Sequence, residues 1–191
     1  STGRGKTTTS TETNKKWLGL VKNVNETTQT TFIPNRISSV NGNVDLESDK
    51  AMNLKGTVVS GDSVQFSSGD KMTLSPLIGT DGTVKNHTTI LAKDTYEQGT
   101  ETASSTCVIA KKTITFKAAG DFENIGSDLS APEKIQMIVP DTAKVVNTGL
   151  VLNSYYKESH LGLYFKPIIP VTLNQYTSQL PLVDSLGALA K

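Results

Sequence analysis

A chain of 191 residues with 19 Lys and Arg against 18 Asp and Glu has the length of one domain and a net charge of only +1. With basic residues scattered, no basic face or tail for holding a nucleic-acid backbone is visible in the sequence, although folding could still gather the lysines, and the single cysteine, Cys107, excludes an internal disulfide framework. With 26 Thr and 18 Ser, the composition favours strands and turns, because Thr is β-branched and Ser bonds to nearby backbone.

Residues 1–16, STGRGKTTTSTETNKK, contain no large apolar side chain. They read as an extended N-terminal arm that cannot bury enough surface to order itself, so a neighbouring subunit is expected to hold it. Within the arm, Gly3-Arg4-Gly5-Lys6-Thr7 imitates the end of a phosphate loop. The four-residue spacer between glycines is missing, and Thr7 to Ser10 open a helix poorly, so no nucleotide site is expected.

Residues 17–177 read as one antiparallel β domain. Trp17 to Val24 and Thr30 to Ile37 are strand candidates, with Pro34 marking an edge or a bend. Short alternating runs follow around Val44 to Leu46, Met52 to Val58, Ser63 to Ser67 and Lys71 to Leu74, separated by Asn-Gly and Gly-Asp turns. They read as a meander, the most regular part of the chain. Asp81-Gly82 suggests a tight hairpin. Residues 88–96 form another strand, 98–106 an exposed loop, Cys107 to Phe116 a long strand, and 118–134 an irregular stretch. Lys134 to Val139, Ala143 to Tyr156 and Leu161 to Leu173 complete the set. No internal repeat is read. Residues 178–191 form a C-terminal arm or short helix, with apolar residues at spacings of three and four.

Little in the chain resembles catalytic chemistry. His87 sits beside a turn, and His160 next to Ser159 points away from it on a strand, so neither makes a nucleophile–base pair with its neighbour. Cys107 opens an apolar strand and reads as an inert buried thiol. Asp45, Glu47 and Asp49 alternate, which puts three carboxylates on one solvated face. No apolar run suffices for a membrane-spanning helix, and none of these groups calls for a cofactor or a metal.

The expected fold is therefore all-β: an antiparallel β-sandwich, jelly roll or barrel-like domain with extended N- and C-terminal arms. The expected function is that of a non-enzymatic structural subunit that polymerises with copies of itself, as a virion coat, tail-tube or decoration protein beside other virion or filament proteins. An extracellular filament or pilus subunit is one alternative, and a carbohydrate- or surface-binding β-sandwich module is another. The expected assembly interface comprises Thr7, Thr8, Thr9, Thr11, Thr13 and Trp17 in the leading arm, and Leu180, Leu182, Val183, Leu186 and Leu189 in the trailing one.

Overall fold

The computed structural model describes residues 1–16, 18–162 and 175–176. Trp17 and the whole trailing set from Leu180 to Leu189 lie outside the described residues. Two substructures are present, a parallel β-solenoid shaft and an antiparallel lateral sheet.

The shaft is built from four coils of three short strands each. Coil 1 comprises β3 (Asn35–Ser38), β4 (Val44–Ser48) and β5 (Met52–Lys55), and coil 2 comprises β6 (Thr57–Gly61), β7 (Val64–Ser68) and β8 (Met72–Ser75). Coil 3 comprises β11 (Cys107–Ala110), β12 (Thr113–Ala118) and β13 (Phe122–Ile125), and coil 4 comprises β14 (Asp128–Ser130), β15 (Lys134–Ile138) and β16 (Val145–Thr148). Successive strands do not pair with each other. Each pairs in parallel with its counterpart one coil away, giving three four-stranded sheets ordered β14-β11-β6-β3, β15-β12-β7-β4 and β16-β13-β8-β5.

This corrects the expected sandwich, jelly roll or barrel. Alternating apolar residues require only that one face be buried. They do not say whether the neighbour across the ladder is the next strand or the one a coil later. The Gly-Asp and Asn-Gly turns are corners between faces rather than hairpins: the Asp62 amide donates to the Gly42 carbonyl (2.8 Å) and the Gly69 amide to the Ser48 carbonyl (2.8 Å), each one coil away.

Inward side chains stack in columns. Leu46, Phe66, Phe116 and Met137 form one, through the registers Leu46↔Phe66, Phe116↔Phe66 and Phe116↔Met137. The Phe66 and Phe116 rings stack at 5.0 Å and 8°, and Phe122 leans on Phe116 at 5.2 Å. Val59, Val108, Met72 and Leu74 from the other faces complete one core, all fully buried.

The lateral sheet runs in the order β1-β2-β9-β10-β17-β18, from β1 (Arg4–Lys16), β2 (Val21–Ile33), β9 (Leu77–Thr88), β10 (Ala92–Ser104), β17 (Leu152–Gly162) and β18 (Gln175–Tyr176). The leading residues thus form a strand paired with β2 along its whole length, from Arg4↔Ile33 to Lys16↔Val21. What orders them is main-chain bonding plus cross-strand Thr contacts such as Thr7–Thr30 and Thr9–Thr28, not apolar burial. Residues 98–106, expected as a loop, largely belong to β10.

Contrary to the expectation of no internal repeat, the chain carries one. A hairpin strand leaves the shaft at the same corner after every second coil. β8 leads into β9 and β16 into β17. Ser1–Gly3 likewise lead into β1 while lying against β5: the Gly3 amide donates to the Lys55 carbonyl (2.8 Å), the Lys55 amide donates to the Ser1 carbonyl (3.0 Å), and Thr2 bridges Lys55 in parallel. At the intervening coils the corner is turned by Gly56 (φ +53°) and Gly126 (φ +54°) instead. A Cβ there would stand 2.5 Å from Leu77 or 2.6 Å from Leu150, so only glycine fits. The unit is one hairpin plus two coils, and it occurs twice.

Candidate functional site: the lateral sheet

In the lateral sheet the registers of all five long strands align, so side chains fall into rows that cross the sheet on one face. One row reads Asn14, Asn23, His87, Asp94, His160. The next reads Glu12, Asn25, Lys85, Tyr96, Glu158, and a third Ser10, Thr27, Thr83, Gln98, Tyr156. This face carries two open concavities. One, of about 370 Å³, is bordered by Glu12, Asn23, Asn25 and His87, and the other, of about 330 Å³, by Thr83, Gln98 and Tyr156. Lys85 and Tyr96 border both.

Both histidines serve the seams between successive hairpins. His87 Nδ1 lies 2.5 Å from Asn23 Oδ1, joining β9 to β2, and His160 Nδ1 contacts Asp94 Oδ1, joining β17 to β10. The His160–Asp94 pair resembles the base and orienter of a catalytic triad, but strand alternation sends the adjacent Ser159 to the opposite face. The pattern recurs at equivalent positions of the two units, as an architectural fastening does. It was not predicted, because cross-strand partners cannot be found before the register is known.

On the opposite face the Tyr155 ring covers Gly99, where an added Cβ would meet ring carbon Cε1 at 2.4 Å. Gly99 pairs with Gly82, so the tyrosine covers one of two adjacent positions that have no side chains of their own to pack. The Tyr155 hydroxyl donates to Glu97 (3.3 Å). Its pKa is pushed up, by partial burial first and then by the Glu97 charge. At the tips of the first two hairpins Leu18, Leu20, Ile90 and Leu91 are exposed, with Lys15, Lys22, Lys93 and the exposed Leu161 in the row behind them.

The remaining candidates are quiet. Thr7, Thr8, Thr9, Thr11 and Thr13 lie on β1, all exposed. Asp45, Glu47 and Asp49 are exposed on the outside of coil 1. Cys107 is only half-buried and outward-facing, between Val58 and Asp128. Burial, then the Asp128 charge, pushes its thiol pKa up, away from the reactive thiolate.

A family model described as a hemagglutinin repeat matches residues 18–77. That segment runs from the first hairpin turn through coil 2, one structural unit without its outgoing strand β1. No curated protein and no solved structure matches the chain. The match fits a non-enzymatic structural protein. Among the described residues no three His, Cys, Asp or Glu side chains are placed to hold a metal, and no helix is long and apolar enough to cross a membrane. The match also overturns the expected virion location and the capsid reading, since it points to extracellular hemagglutinin repeats.

Proposed function

We propose that this chain is a segment of an extracellular surface filament or adhesin of the hemagglutinin-repeat kind, in which the solenoid is a stiff shaft and the lateral sheet its contact surface. The observation that carries the reading is an overlap: residues 18–77 match the repeat family, and they take in β2 and both coils of the first unit, all of it but β1. A shaft of stacked coils suits the role because each coil buries its apolar residues only against its neighbours, so length grows without a larger core. Thr, Asn and Gln side chains on both faces of a single-layer sheet keep it wettable over a long span. Its rows of Tyr96, Tyr156, Lys85 and His87 offer aromatic, cationic and hydrogen-bonding groups to a facing surface.

The test is labelling of intact cells that make the protein, using antibodies raised against the lateral sheet. Binding without permeabilisation is expected, along with thin rod-like projections by negative-stain electron microscopy. Labelling that requires permeabilised cells would refute an extracellular filament.

A further inference from the structure

We infer that the outer edge of β1 is a docking edge for one more return strand of the β2 and β10 kind, donated by a further hairpin-plus-two-coil unit. The inference rests on the repeat architecture, not on the extracellular location, so the two readings can fail separately.

The observation behind it is what happens at the equivalent edges. β1, β9 and β17 are the outgoing strands of three successive excursions from one corner of the shaft. The edge of β9 that corresponds to the free edge of β1 is covered by β2, antiparallel, from Lys22↔Thr88 to Thr28↔Gly82. The same edge of β17 is covered by β10, from Ala92↔Gly162 to Thr100↔Ser154. The two covering strands are alike in sequence: Lys22-Asn23-Val24-Asn25-Glu26 corresponds to Lys93-Asp94-Thr95-Tyr96-Glu97. Only β1 lacks such a neighbour among the described residues, and all thirteen of its residues are exposed. A second observation agrees. Ser1–Gly3 bond to β5 as the last strand of a preceding coil would, so the end of coil 1 is shaped to continue the ladder.

The register follows from the equivalent seams. Thr9 faces the residue corresponding to Thr28 and Gly99, and Asn14 faces the one corresponding to Asn23 and Asp94. Asn14 replaces the histidine that β9 and β17 carry in this row, so an amide rather than an imidazole meets the incoming Asx. Lys15 stands where β9 has Thr88 and β17 has Leu161. A strand bringing Lys to that place, as β2 and β10 do, would put like charges opposite each other, whereas Asp or Glu would be attracted. Lys6, Lys15 and Lys16 along this edge otherwise discourage indiscriminate strand pairing. The preferred occupant is thus a Thr/Asn-rich return strand with an acidic residue in the Lys93 position.

The experiment fuses the β10 sequence, Ala92–Ser104, ahead of Ser1 of the full chain through a Gly/Ser linker of about eight residues, which gives a high effective concentration. A second version carries Lys93→Glu in the fused strand only, and a third carries a scrambled strand. Amide hydrogen exchange of β1 is read by NMR in the presence of the free-standing chain as reference. The fused strand should slow exchange at least tenfold at alternate, outward-pointing β1 amides, more strongly with Lys93→Glu, and the scrambled strand should not. Equal exchange in all three fusions would overturn the inference. So would protection of the same amides in the unfused chain accompanied by dimerisation, because the edge would then belong to a second copy.

Discussion

Truncating Phe116 to alanine tests how the shaft holds together. Its ring is fully buried between Phe66 at 5.0 Å and Phe122 at 5.2 Å, and it borders a cavity of only about 20 Å³ beside Asn124 and Met137. Removing the ring opens roughly 100 Å³ that rigid parallel ladders on either side cannot collapse, which costs about 2.4 kcal/mol at ~24 cal/mol per Å³. Loss of the buried aromatic surface adds roughly 2 kcal/mol, so Phe116→Ala should destabilise by about 4 kcal/mol. Phe116→Leu, which fills most of the space, should cost about a third of that. The assay is urea unfolding followed by far-UV circular dichroism and intrinsic fluorescence. A double-mutant cycle with Phe66→Leu and Phe116→Leu should give a coupling of about 0.5–1.5 kcal/mol, since the two rings stack across adjacent coils. A loss below about 1.5 kcal/mol for Phe116→Ala, or additivity of the pair, would refute the packing argument.

Three further outcomes are expected. Gly56→Ala forces a Cβ into a left-handed corner and to 2.5 Å from Leu77, so it should lower stability by about 2 kcal/mol or more, measured as a fall in Tm; an unchanged Tm would contradict the corner geometry. Thr106→Val removes a fully buried hydroxyl that lies 2.7 Å from the Ser75 carbonyl and 3.1 Å from that of Leu54. The Ser75 carbonyl keeps the Gly56 amide as a donor (3.0 Å), but the Thr57 amide loses Thr106 Oγ1 as an acceptor (3.4 Å), so the change should cost about 1–3 kcal/mol in chemical denaturation. Because the Cys107 pKa is raised, less thiolate exists at any given pH in the folded state than in the unfolded one. Iodoacetamide should therefore react with native protein more slowly, and with a pH profile displaced upward; a profile displaced downward would reverse the assignment.

Strand identity was legible because inward and outward residues alternate in the short coil strands. Pairing was not, because a half-buried strand reads the same in a parallel or an antiparallel ladder. The missing signal was self-similarity. Val44-Asp45-Leu46 with Met52-Asn53-Leu54 recurs as Val64-Gln65-Phe66 with Met72-Thr73-Leu74, and again as Ile114-Thr115-Phe116 with Phe122-Glu123-Asn124. Aligned on those triplets, the coils appear in the sequence, and the hairpins appear as the insertions between them. β1 misled for a different reason. Thr-rich strands in a single-layer sheet draw their order from main-chain bonds to a partner, and an arm with no apolar residues carries no mark of which chain supplies it.

The central claim, that each strand pairs with its counterpart one coil later, is open to a disulfide test in a Cys107→Ser background. Glu47 and Ser67 are direct parallel partners, whereas an antiparallel meander turning at residues 49–51 would instead bring Glu47 opposite Asn53. Two double variants, Glu47→Cys with Ser67→Cys and Glu47→Cys with Asn53→Cys, are oxidised under native conditions and mapped by mass spectrometry. The solenoid predicts rapid, near-complete cross-linking of the first pair and little of the second. Efficient closure of the second pair with failure of the first would contradict it.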